Sequence, residues 1–190
     1  MMVRSLITLL ILCVISLPMP VAGESSAVAA SPEMVRNNAA LALIPFQWHV
    51  LDYQIVFMDS QEGYRAMTYP KQHRIEIYVR PGDDSGRLAH DIAHELGHAV
   101  DVTYNTPEMR RKWMELRGID PATSWFACNK CSDFSSPAGD FAETFALLQV
   151  GPDYFSGRIA PRPTAQDIPH LISFFSFLPE DAFAASKTGI

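Results

Sequence analysis

The sequence predicts an α+β fold, with a small, mostly antiparallel sheet lying over one long helix and a mainly helical C-terminal half. Three observations predict it. Alternating runs rich in β-branched and aromatic residues are confined to positions 53–80. Apolar residues beyond them recur at helical spacing, and Asp, Ser or Thr followed closely by Gly or Pro marks where those stretches begin. At 190 residues the chain is long enough for a single domain with its own core.

The start is set aside from the fold. "MMVR" is a short basic opening, "SLITLLILCVISL" an apolar run, and "PMPVAG" ends in small residues, the layout of a secretory signal peptide over residues 1–23. Pro18 and Pro20 close the run short of the roughly twenty apolar residues a membrane span requires. Cleavage fits after Gly23, with Ala29 as a second position. The Ala- and Ser-rich stretch 24–40 reads as a flexible spacer, and 41–190 as one domain.

Within that domain "YQIVFMD" (Tyr53–Asp59), "GYRAMTY" (Gly63–Tyr69) and "RIEIYVR" (Arg74–Arg80) read as strands, the last two joined by the turn "PKQH". "RPGDDSG" then breaks the chain, and Asp84 or Ser85 caps a helix carrying Leu88, Ile92, Leu96 and Ala99 or Val100 as an apolar stripe. Thr106 followed by Pro107 opens a second helix that stops at Gly118. Ser136 and Pro137 open a third that stops at Gly151. A proline-rich loop leads to "HLISFFSFL", too short to cross a bilayer and expected as a packed helix.

Charge and cysteine usage narrow the function classes. Removing residues 1–23 takes away Arg4 and no acid, which moves the formal charge from -6 to -7. An acidic chain without a basic run is not expected to bind nucleic acid. Without its signal segment it has no stable membrane anchor, and the destination is secreted, extracellular or periplasmic. Loss of Cys13 leaves Cys128 and Cys131 in "CNKC", for which export makes a disulfide the first expectation, ahead of free thiols or metal binding.

The chemistry concentrates in "LAHDIAHELGHAVD", where His90, His94 and His98 recur every fourth residue. Positions four apart on an α-helix are offset by only about 40°, so His94 and His98 can aim ring nitrogens at one ion. Zinc accepts such nitrogens at about 2.0–2.1 Å, and a hydrolytic site keeps one position for water. Glu95 follows the first ligand and sits over that water as general base, taking its proton and passing it to a leaving amine. Gly97 leaves room where the helix meets another element. This is the H-E-x-x-H arrangement, expected by composition alone about 0.01 times in this chain.

"AHELGHAVD", followed by "GDFAETFA", resembles the zincin metallopeptidases, and among them gluzincin-type secreted or toxin-like enzymes similar to the lethal-factor catalytic domain. The likeness covers Arg74–Asp101 and Pro137–Val150. It implies a zincin-like zinc peptidase acting on a protein or peptide substrate, with an edge strand holding extended substrate above the active-site helix. A second helix then supplies an acidic third ligand to one zinc ion. Such enzymes usually place that glutamate where this chain has Gly139. Asp140 and Glu143 remain near each other on the same helix. Asp140 is expected as the ligand and Glu143 as acceptor for a ligand histidine's other N–H, with the reverse assignment open. Asp101 reads as a supporting or capping group, His90 as a packed histidine, and His49 and His73 as structural. Tyr104, Tyr154 and His170 are candidates to stabilise an oxyanion, with none selected. The alternative function is a secreted zinc-binding protein without turnover, acting through a partner interface.

Overall fold

The computed structural model describes residues 30–127, 131–179, 182 and 183; the signal segment, both cleavage positions and Cys13 and Cys128 lie outside them. The architecture is α+β. In chain order the principal elements are α1 (Pro32–Ala42), β1 (Gln54–Asp59), β2 (Ala66–Tyr69), β3 (Arg74–Val79), α2 (Ser85–Tyr104), α3 (Pro107–Leu116), α4 (Pro137–Val150) and α5 (Ile168–Phe174). Short 3-10 turns cover Trp48–Leu51, Pro70–Gln72, Asp133–Ser135 and Phe175–Phe177.

The sheet departs from the antiparallel expectation. Its order is β1-β3-β2, with β1 parallel and β2 antiparallel to β3. The reason is burial. Residues Ile75 to Tyr78 are all buried, so β3 takes the centre, and the two half-buried strands flank it. β2 reaches β3 through a tight turn that ends at His73 in the left-handed region (φ 49°). β2 is therefore an edge strand. Ile75 and Ile77, fully buried, face the helices.

A second departure is α1, which occupies most of the segment expected as spacer. Ser31 caps it by accepting from Met34 N, Pro32 opens it, and Ala40 is buried where it packs on α2. The later helices start as the sequence indicates. Asp84 accepts from Arg87 N, Thr106 from Met109 N and Ser136 from Gly139 N. Leu88, Ile92, Leu96, Ala99 and Val100 form the buried stripe of α2. In α4 every residue from Pro137 to Gln149 is buried, the pattern of a central helix with no solvent face. Trp113, Phe141, Phe145 and Phe175 pack edge-to-face or tilted around it. Among the described residues no helix is long and apolar enough to cross a membrane.

The contact that positions everything else is the crossing of α2 and α4 at Gly97. A Cβ there would lie 2.7 Å from Ala142 Cα and 3.2 Å from Ala142 Cβ. Alanine ordinarily stabilises a helix interior by about 1 kcal/mol over glycine. At position 97 overpacking against backbone, typically about 1–3 kcal/mol, opposes that gain. Gly97→Ala is expected to lower the midpoint of thermal unfolding, followed by circular dichroism. A rise would show that the two helices separate without cost.

Candidate metal centre

The cleft between β2 and α2 has a volume of about 550 Å³, and three side chains converge inside it. His94 Nε2 and His98 Nε2 are 3.2 Å apart, and Asp133 Oδ2 lies 3.2 Å from the first and 3.1 Å from the second. This is a nearly equilateral triangle of two nitrogens and one oxygen. Tetrahedral bonds of about 2.0–2.1 Å separate donor atoms by about 3.3 Å. The three atoms thus have the size and chemistry of one face of a zinc tetrahedron.

Helix spacing supplies the two histidines, and α4 orients the first of them. Glu143 is fully buried, and its Oε1 lies 2.9 Å from His94 Nδ1 while Oε2 accepts from Ser156 N at 2.7 Å. An ionised carboxylate can only accept, so His94 donates from Nδ1 and turns Nε2 toward the triangle. Burial alone lowers the pKa of the His94 ring. Hydrogen bonds to Asp133 and Glu143 and the charge of Glu95 outweigh it and lift that ring to about 10. Burial raises Asp133 and Glu143, yet hydrogen bonds from His94 and His98 to Asp133, and the His90 ring beside Glu143 together with the hydrogen bond from His94, hold both well below the usual carboxylate range. The pocket's electrostatics favour positive charge at the triangle.

Glu95, the next residue, is buried to 7% exposure, lines the cleft and is clamped from above. Thr68 Oγ1, on β2, is 2.7 Å from Glu95 Oε2 and 3.0 Å from its backbone oxygen. The strand that borders the cleft thereby fixes the carboxylate beside the ligand triangle.

Neither acid expected as third ligand has an oxygen among the three converging atoms. Asp140 is fully buried and bound bidentately by Arg117 (2.9 Å from Nε to Oδ2 and 2.9 Å from Nη2 to Oδ1), with Trp113 Nε1 3.1 Å away. It ties α3 to α4 and has no oxygen at the triangle. Glu143 takes only the supporting role behind His94. The carboxylate that meets the two histidines is instead Asp133, in the turn before α4, which the sequence reading missed. A signal for it was present in Gly139. A Cβ at that position would fall 2.1 Å from Asp133 O, so the space where a glutamate side chain would begin is filled by the backbone that carries Asp133.

The remaining candidates take other duties. Asp101, fully buried, accepts from Asn105, Arg110 and Trp125. His90 is buried in the cleft wall with Nε2 3.6 Å from Glu143 Oε2 and does not belong to the ligand triangle. His73 stacks on Tyr53, and the His49 ring lies tilted against Trp48. Of the three oxyanion candidates none lines the cleft: Tyr154 bonds Asp84, Tyr104 leans on Phe177 and His170 lies on α5. Cys131, which does line it, is disulfide-bonded.

Comparison with known protein families, with curated proteins and with solved structures finds no match to this chain. The division of labour between Asp133 and Asp140 is open to direct test. Asp140→Ala strips a buried guanidinium of its counter-charge, a loss of about 3–5 kcal/mol in comparable pairs. The unfolding midpoint is expected to fall by on the order of ten degrees. Asp133→Ala, at a partly exposed turn, is expected to shift it by far less, as read by scanning calorimetry on the metal-free chains.

Proposed function

We propose that the protein is an exported zinc-dependent peptidase, secreted or periplasmic, that hydrolyses peptide bonds with His94, His98 and Asp133 as metal ligands and Glu95 as general base. The observation that carries this reading is Glu95, buried next to the ligand triangle and held there by Thr68. A protein that only stored or sensed zinc would have no use for a carboxylate at that place. Zinc held by the three ligands supplies Lewis acidity, lowering the pKa of a water and polarising a substrate carbonyl.

The chain's own groups perform the proton movements. Thr68 occupies Oε2 of Glu95, leaving Oε1 to accept the proton of the attacking water. As the C–O bond forms and the C–N bond breaks, the same oxygen delivers that proton to the departing amine. Among the described residues β2 pairs with β3 alone, so its second edge borders the cleft, where an extended peptide can add as a further strand. A sheet edge over an H-E-x-x-H helix supports a zincin-like fold. Asp133 takes up the acidic ligand role from a turn rather than from the following helix. Export is supported by the character of residues 1–23 and by the disulfide at Cys131.

Three measurements test the reading. The mature chain is expected to bind one zinc, removable by chelator. Asp133→Ala and Gly139→Ala are expected to weaken binding by at least about tenfold, and Asp140→Ala to leave the affinity near wild type. Glu95→Gln is expected to keep the metal yet lose on the order of 10²–10⁴ in hydrolysis of an unfolded protein. Thr68→Val is expected to lose roughly tenfold, the worth of a hydrogen bond to a charged group. Hydrolysis that survives Glu95→Gln would remove the catalytic assignment.

A further inference from the structure

The cleft is longer than its metal centre requires. Among the α2 residues that line it, His90, His94, His98 and Val102 recur every fourth position, so the two proposed ligands lie between an imidazole and an isopropyl group. At 1.5 Å per residue the stripe is about 18 Å long, the span of roughly five residues of extended chain. Its chemistry changes from end to end. Near His90 the charges satisfy one another: Asp91 lies 2.8 Å from Arg65 and 2.9 Å from Arg87. At the opposite end Val102 is 39% exposed and Phe126 52% exposed, both on the cleft wall.

An exposed phenylalanine is unremarkable when it is free to turn, but Phe126 is held. The Arg110 guanidinium sits 5.0 Å from its ring centre and 5.3 Å from that of Trp125. That guanidinium is fixed bidentately by Asp101 at 3.0 and 3.1 Å, and Asp101 also accepts from Trp125 Nε1 at 2.9 Å. A fully buried carboxylate and its counter-charge thus order two aromatic side chains at the rim, and the outer one still faces water. Ordering an apolar surface in advance lowers the entropic cost of binding against it and adds nothing to the core.

We propose that the Val102–Phe126 end of the cleft is a specificity subsite for a large apolar side chain, such as Leu, Met or Phe, on the extended polypeptide substrate. This rests on the peptidase reading above. Val102 lies about 9 Å along α2 from the midpoint of the two ligand histidines, which places the recognised residue two or three positions from the bond that is cut. The His90 end is polar, with Asp91 engaged by Arg65 and Arg87 and both His90 ring nitrogens without a hydrogen-bond partner, so an apolar side chain is selected at the opposite end.

The test presents the zinc-loaded full chain with an equimolar library of short synthetic peptides and reads the products by mass spectrometry. A parallel arm measures binding of labelled peptides, with Leu or Ser at the varied position, to zinc-loaded Glu95→Gln. The expected result is enrichment of Leu, Met and Phe at one position relative to the cut, and tighter binding of the Leu peptide, each on the order of tenfold or more over Ser. Val102→Ser and Phe126→Ser are expected to bring both ratios close to one while zinc content and unfolding midpoint stay at wild-type values. A wild-type chain that cleaves nothing defeats the peptidase reading, while a Leu preference in binding that Val102→Ser abolishes still upholds the subsite. Equal binding of Leu and Ser peptides, or a preference that survives both substitutions, overturns it.

Discussion

The close approach of α2 and α4 at Gly97 and Ala142 is the constraint on which the site depends. Helices usually pack 8–10 Å apart, at a distance set by the side chains between them. Here a hydrogen on one side and a methyl on the other let the backbones nearly touch. Only then does a glutamate on α4, whose own reach is short, put an oxygen 2.9 Å from the inner nitrogen of His94. The same contact exposes the helix backbones to no water, because the residues around it are buried on both elements. The orientation of the His94 imidazole follows from this one crossing. A second glycine repeats the device a turn earlier on α4, where Gly139 admits the main chain of Asp133.

Two acids three residues apart on α4 are both fully buried, and they serve different neighbours. Three residues turn a helix through about 300°, leaving the two side chains about 60° apart. On a surface helix that separation keeps both on one face. On a helix buried all round it is enough to send one to α3 and the other to α2. Asp140 therefore meets Arg117 and Trp113, and Glu143 meets His94 and Ser156. Each buried charge has a specific partner set, as it must, since an unpaired carboxylate in such surroundings would cost several kcal/mol (about 3–5 when one partner is removed). Asp140 secures the scaffold, and Glu143 secures the chemistry.

The parts of this arrangement that are local in sequence were legible there. Asp84, Thr106 and Ser136 announce three helices by capping, and the four-residue recurrence of histidine is a property of α2 alone. What depends on distant partners was not. Strand pairing links residues some twenty positions apart, so the parallel union of β1 with β3 left no trace in either strand's own pattern. α1 is Ala-rich and buries one residue fully, which reads as spacer until Ala40 is seen against α2. Asp133 escaped because a ligand in a turn has no periodicity, and its mark was the missing side chain of Gly139, a residue six positions away.

A ligand carried by a turn would ordinarily be a poor one, since fixing each residue's backbone costs about 1–2 kcal/mol that the metal would have to offset. This turn is fixed before any ion arrives. Ser136 gives both its backbone N and its hydroxyl to Asp133 O, at 2.8 Å each. Arg158 N donates to Phe134 O at 2.8 Å, and Ala138 N to Trp125 O at 3.0 Å. The disulfide at Cys131 closes the chain two residues before the ligand, and Gly139 removes any side chain that would push it away. The cap of α4 and the support of Asp133 are the same hydroxyl, because Ser136 Oγ also accepts from Gly139 N at 3.0 Å. Helix start and the position of the Asp133 carboxylate are thus one structural event, so a carboxylate carried by a turn is held as firmly as one carried by the helix that follows.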